Sequence, residues 1–208
     1  MLHGTLPSNI IGYALPNLGV LVLSVNEFEG QLPASFGNVS SLEVIDLSSN
    51  KFSCQTPSSF GSLIQLSYLN LENNLLEASD DQGWEFLHAL KNYTLLNSFS
   101  VGRNRLSGSI PNYIGELSTE LEYLILSSNE LSGVVPSRIG NLTGLATLGL
   151  DNNSLTGPIG EWVGMLKELQ DLELQQNNFN GPIPESIGNL TKLSHLHLQD
   201  NEFTGTIP

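Results

Sequence analysis

Apolar and polar residues follow one phrase eight times along this chain. An apolar residue, any residue, an apolar residue, two residues of any kind and then Asn make up the phrase, as in Leu21-Val22-Leu23-Ser24-Val25-Asn26 and Leu172-Glu173-Leu174-Gln175-Gln176-Asn177. The closing residues are Asn26, Asn50, Asn74, Asn104, Asn129, Asn153, Asn177 and Asn201, spaced by 24, 24, 30, 25, 24, 24 and 24 residues. Self-similarity at such a period predicts a solenoid, in which each unit packs only on its neighbours.

Other apolar positions sit at fixed offsets from each Asn. Eight, five and three places before it come Leu42, Ile45 and Leu47 in one unit and Leu193, Leu196 and Leu198 in another; two places after it comes Phe or Leu. Side chains two apart on a strand share a face, so the pair at five and three predicts a short strand with one buried side. Ile139 with Leu142, or Ile187 with Leu190, follow ten and thirteen places on. A single unit cannot enclose these residues, and stacking buries them in one column. The Asn itself should turn inward where the strand ends, pairing backbone groups that would otherwise be buried unsatisfied at about 1–3 kcal/mol each. All eight are read as structural.

The second half of the unit is Gly-x-Ile-Pro-x-x-Ile-Gly-x-Leu, as in Gly181 to Leu190. Gly opens backbone angles closed to other residues and Pro ends a strand ladder, which predicts a turn and a short helical or 3₁₀ segment on the outer face. One unit is six residues longer. Its residues 77–91 place Trp84, Leu87 and Leu90 at helical spacing after Ser79, Asp80 and Asp81, predicting a capped outer-face helix with Trp84 in the core.

The assembled motif, L-x-x-L-x-L-x-x-N-x-L-x-G-x-I-P-x-x-I-G-x-L, resembles the plant-type leucine-rich repeat of extracellular receptor kinases, receptor-like proteins and polygalacturonase inhibitors. Gly30/Pro33, Gly108/Pro111, Gly133/Pro136, Gly181/Pro184 and Gly205/Pro208 carry its Gly-x-Ile-Pro signature, and the resemblance covers residues 1–208. Two departures, Cys54 for Gly and Gly160 for Pro, should each loosen one turn without threatening the fold. The longer unit is similar to a repeat of the receptor-kinase subfamily that senses flagellin, elongation factor and rice bacterial blight. The resemblance implies an α/β fold: a right-handed leucine-rich-repeat solenoid of about 24-residue units with a parallel β-sheet on its concave face. It also implies cysteine-bearing caps. The chain opens and closes within a unit, so it reads as a fragment of an array with about eight strand-bearing repeats.

Composition narrows the partners. The chain has 21 acidic and 7 basic residues, a formal charge of −14. Nothing basic is clustered, which argues against nucleic acid and anionic membranes. Cys54 is the single cysteine, so no internal disulfide forms. No apolar run approaches the roughly 18 residues that span a bilayer. Residues 1–7 do not read as a signal peptide, and no phosphate loop, nucleophile elbow or zinc spacing appears. No enzyme, cofactor or metal is expected.

Candidate recognition residues stand six, four, two and one places before each Asn, opposite the leucines. Tyr68, Glu72, Arg103, Tyr123, Asp151, Asp171, Glu173, His195 and His197 head this set, with Tyr68 and Tyr123 equivalent two units apart. Asp171, Glu173, His195 and His197 share two adjacent units. They are read as solvated side chains rather than a metal site or a hydrolytic pair, because an open sheet does not exclude water. Asn38, Asn92, Asn141 and Asn189 lie in N-x-S/T sequons, three of them twelve places past a repeat Asn on the outer face; Asn152 lies in another on the concave side.

The resemblance implies part of the extracellular region of a plant receptor-like serine/threonine kinase in the apoplast, engaged in defence. A peptide or protein ligand would lie across several units and bridge to a repeat-bearing co-receptor kinase. Two alternatives are a soluble inhibitor of a cell-wall-degrading glycosidase and a truncated, non-functional receptor product.

Overall fold

A computed structural model describes residues 1–8, 15–91 and 93–208. Two parallel sheets run its length. One holds eight three-residue strands, Val20–Val22, Val44–Asp46, Tyr68–Asn70, Ser98–Ser100, Tyr123–Ile125, Thr147–Gly149, Asp171–Glu173 and His195–His197, each paired to its sequence neighbours in the same register. These are the strands that the repeated phrase predicts. Their middle residues point inward: Ile45, Leu69, Phe99, Leu124, Leu148 and Leu172 are fully buried.

The second sheet was not expected. It has nine strands, His3–Thr5 and eight that follow the Asn positions, among them Glu27–Gln31, Lys51–Cys54, Arg105–Ser109, Glu130–Val134 and Asn178–Gly181, and they again pair in parallel. Each unit therefore contributes two strands, not one. The apolar residue two places after Asn buries on this sheet, where Phe28 and Phe52 stack at 6.2 Å and Phe179 and Phe203 do the same. The chain leaves the sheet through a left-handed Gly such as Gly108 (φ +74°) or Gly133 (φ +75°).

Pro then opens a 3₁₀ turn in most units, as at Ala34–Asn38, Ser137–Asn141 and Glu185–Asn189, where the outer-face segment was predicted. In the longer unit an α-helix takes its place, Glu85–Leu90. It starts later than Ser79 to Asp81 implied and has no side-chain cap: Asp80 Oδ1 instead accepts from the Gly83 N–H at 2.8 Å, shaping the turn ahead of it. Phe86, Leu87 and Leu90 bury one helical face, and Trp84, 2% exposed, is core as predicted.

The repeat Asn residues turn inward and link units. Asn104 Oδ1 accepts from the Leu76 N–H at 2.9 Å, and its Nδ2 donates to Leu71 and Val101 carbonyls at 3.0 Å. Equivalent bonds tie Asn129 to Leu106 and Val101, and Asn177 to Leu155 and Leu150. The six extra residues leave this pattern intact. At the last strand the column opens: Leu196 is 42% exposed, whereas Leu172, paired with it, is fully buried.

Candidate functional site

The outward side chains of the eight-stranded sheet form four rows. Six places before Asn the row reads Val20, Val44, Tyr68, Ser98, Tyr123, Thr147, Asp171, His195; four places before, it reads Val22, Asp46, Asn70, Ser100, Ile125, Gly149, Glu173, His197. These two rows belong to the strands. The residues two and one places before Asn lie on the turn beyond, a correction to the expectation that all four positions share the strand face. The last of them is left-handed in every unit: Val25, Ser49, Asn73, Arg103, Ser128, Asn152, Gln176 and Asp200 have φ between 53° and 57°.

The turn is forced by the ladder. To aim its amide inward, each Asn needs the chain to reverse one residue earlier, and the hydrogen bonds the amide then makes outweigh roughly 1–2 kcal/mol of left-handed strain. Side chains at this position are thrust along the rim. Arg103 there reaches Glu72 at 3.6 Å, an exposed pair worth at most about 1 kcal/mol. Asn152 donates to Ser128 Oγ at 3.0 Å.

Tyr68 and Tyr123 flank Ser98 in the same row, separated by two strand steps. Tyr123 is 44% exposed, and Tyr68 is half-buried with its hydroxyl accepting from Asn70 Nδ2 at 3.3 Å. Neither touches the charged residues further on.

Those charged residues do meet. Asp171 Oδ1 contacts His195 Nδ1, and the His195 and His197 rings stack at 6.5 Å. Glu173 pairs in register with His197 on one side and Gly149 on the other. Its carboxyl is pushed up, first by burial and next by the charge of Asp151, with His197 opposing. Asp151 Oδ1 is buried without a hydrogen-bond partner, as are Ser127 Oγ and Gln175 Oε1 beside it in the same row. Among the described residues no group of three or more His, Cys, Asp or Glu side chains is placed to hold a metal ion.

Sequence reasoning missed Gly149. A Cβ there would stand 2.7 Å from Ser127 Oγ, 3.2 Å from Ile125 Cδ1 and 3.6 Å from Glu173 Oε2. The neighbouring groups close over the missing side chain, and Gly149 is buried. A lone Gly in a strand pattern was the available signal, since it marks close approach. Val20 and Val22, more than half exposed, were also passed over.

Other expectations fall elsewhere. Asn38, Asn141 and Asn189 end their 3₁₀ turns, exposed on the outer face; Asn92 lies outside the described residues. A cavity of about 940 Å³ lies off the strand rows, between Gln31, Cys54 and Gln55 on one side and Glu77 and Glu85 on the other. No helix among the described residues is long and apolar enough to cross a membrane.

Family models described as leucine rich repeat match residues 16–76, 120–142 and 143–203. The chain belongs to the leucine-rich-repeat family. Receptor kinase-like protein Xa21 of Oryza sativa subsp. japonica is 39% identical over 76 residues, 36% of this chain and 7% of Xa21. In shape the repeats superpose on a crystal structure of a TDR receptor with a TM-score of 0.91 and 30% identity, covering 99% of this chain and 34% of that one. The Arabidopsis receptor kinase HAESA, solved in complex with the peptide hormone IDA and the co-receptor SERK1, gives 0.87 and 32%, covering 99% and 33%. This leucine-rich-repeat chain thus spans about a third of those two solved receptors. Its similarity lies in their repeats, and no kinase domain matches it.

Proposed function

We propose that this chain is a ligand-recognition segment from the extracellular region of a plant receptor-like serine/threonine kinase acting in defence at the outer face of the plasma membrane. Its ligand is a peptide or protein laid across several strands, and a repeat-bearing co-receptor kinase completes the complex. One observation carries the reading. The inward residues of the eight strands are almost uniformly Leu, Ile or Phe, while the outward rows change chemistry from strand to strand on the same backbone register. A surface varied over a constant scaffold is suited to recognising one partner among many. Similarity to Xa21, and to HAESA with its hormone and co-receptor, supports the class of ligand and partner.

The exposed sequons at Asn38, Asn141 and Asn189 fit an apoplastic setting: glycans there would leave the strand rows open. Selection of random peptides on the immobilised chain tests the reading. Selected peptides should lose binding to Tyr123→Ala and Asp171→Ala and keep it to the outer-face variant Ser137→Ala. Peptides that ignore both strand-face changes would refute it.

A further inference from the structure

Three departures from the repeat meet in one place. Four places after the Asn every unit has Gly, except for Cys54 and the longer unit's Ala78. Six places after it the residue is Leu32, Ile110, Val135, Ile159, Ile183 or Ile207, except for Thr56 and the longer unit's Asp80. The longer unit is itself the third departure. Cys54, Thr56 and, from that unit, Glu77, Gln82 and Glu85 all line the cavity of about 940 Å³ that lies off the strand rows.

The lining has a definite chemistry. Thr56 is 6% exposed, and among the described residues its hydroxyl has no hydrogen-bond partner. Unlike the sealed Ser127 and Asp151 oxygens, it borders open space. A hydroxyl this deep gains from any ligand that pairs with it. Beside it the Cys54 thiol is exposed, on backbone at φ 67° where Gly would be unstrained. Strain retained at one position is a pointer to function.

Across the cavity Glu77 and Glu85 are exposed, and among the described residues neither closes an ion pair. Arg105 stands beside Glu77 in the sheet without reaching it. The described lining is free of basic and of aromatic side chains. It offers no ring face for stacking, so its complement is a cation flanked by hydrogen-bonding groups.

We propose that this cavity is a second recognition site, separate from the strand face, for a short basic segment of a partner protein. Backbone groups of the segment pair with Thr56 and with the amides of Gln31 and Gln55. A Lys or Arg head lies against Glu77 and Glu85. The volume suits a few residues of chain, being within the range of sites that enclose small ligands. The extra residues of the longer unit, which leave the Asn ladder intact, supply the wall that holds them.

Cys54 allows the site to be probed locally. The probes are blocked Cys-Gly-Ser-Arg peptides with spacers of increasing length, each supplied as the disulfide with 2-mercaptoethanol, and citrulline twins that keep the shape without the charge. The Cys54 thiolate attacks the peptide sulfur, the old disulfide breaks, and 2-mercaptoethanol leaves as the thiol. Mass spectrometry of residues 1–208 reads the captured fraction as 2-mercaptoethanol is raised.

For at least one spacer, the Arg peptide should resist an at least about five-fold higher 2-mercaptoethanol concentration than its citrulline twin. Glu77→Gln/Glu85→Gln, at exposed positions, should erase that preference. Thr56→Val, which restores an aliphatic residue, should lower capture of both peptides. Cys54→Ser/Gly181→Cys moves the thiol to the same turn of a regular unit, near Glu185, and should show no preference. Equal capture of the Arg and citrulline peptides at Cys54 would overturn the proposal. So would the same preference at Gly181→Cys, since the charge of the chain at large would then explain it, or capture indifferent to Thr56→Val. None of these results bears on the strand face, which the randomly selected peptides test separately.

Discussion

Asn74 and Phe52, on neighbouring units, are joined where both are buried: Asn74 Oδ1 accepts from the Phe52 N–H at 3.0 Å. Its Nδ2 donates to the Leu47 carbonyl at 3.0 Å in that same neighbour. The amide therefore pairs a donor that the stacked column would strand, and shares the Leu47 carbonyl with Asn50 Nδ2. Replacing the equivalent Asn104 by Leu would leave the Leu76 N–H unpaired, while the Leu71 carbonyl keeps its bond from Asn74 Nδ2 at 3.1 Å. A loss of roughly 1–3 kcal/mol is expected for the one unpaired group. Urea denaturation gives the magnitude, and hydrogen exchange should place the weakened protection on both flanking units.

Cys54 holds φ 67° where Gly30, Gly108, Gly133, Gly157, Gly181 and Gly205 hold 74° to 84°. A side chain is strained in this region, so Cys54→Gly should stabilise the chain by about 1 kcal/mol, after allowing for the looser unfolded state of Gly. The midpoint of denaturation should rise with an unchanged slope.

Gly160 sits where other units have Pro, and its φ of −78° would accept one. The repeat consensus alone would recommend Gly160→Pro. The structure predicts the reverse, because a Cβ there lies 2.6 Å from Trp162 Cδ1, and Trp162 is 5% exposed. Overpacking of this kind costs about 1–3 kcal/mol. Its sign of origin is a favourable coupling in the Gly160→Pro/Trp162→Ser double variant, measured by a double-mutant cycle.

Glu173 binds its proton more tightly folded than unfolded, burial being the main cause and Asp151 the next. Between its ordinary value of 4.5 and the raised one, the folded chain holds more protons. Stability contributed by the protonated group is thus present below pH 4.5 and is lost as pH rises through the folded value. Glu173→Gln should remove this decline and raise stability at pH 7 more than at pH 4. Parallel thermal melts of both chains at both values decide it, and a gain over the unsubstituted chain no larger at pH 7 than at pH 4 would be inconsistent with the raised carboxyl.

Tyr93 is 1% exposed, and its hydroxyl accepts from the Leu63 N–H at 2.8 Å. Burial pushes its ionisation well above the usual range, with the Leu63 bond opposing. Tyr93→Phe should cost about 0.5–1.5 kcal/mol, the net worth of one hydrogen bond, because the Leu63 N–H also donates to the Phe60 carbonyl at 3.0 Å. Denaturation at neutral pH measures it.

The stacked column and its ladder were legible because each rests on residue type at a fixed offset. Leu at the inward strand positions and an amide at the turn admit few other roles. The sheet formed by strands such as Glu27–Gln31 was not legible, since its residues are polar side chains around one apolar position, with Gly commonly at or near the end. Pairing between units, rather than local preference, makes it extended. Nor did the left-handed residue before each Asn announce itself: Val25 and Gln176 adopt φ 57° and 55° against their own inclination because the amide behind them must turn. At the candidate site, residue types were readable, and Asp171 beside His195 follows from the period. The close packing over Gly149 was not, because it depends on which side chains lean across a missing one.

Register has a combinatorial consequence. Asn104 reaches Leu76 across six extra residues with the same two bonds that Asn129 makes to Leu106 and Val101. Each unit presents its neighbours with one interchangeable joint. Whole units can be duplicated, deleted or exchanged by recombination while only the two joints at the breakpoints are remade, so new outward rows can be composed without the interior being redesigned.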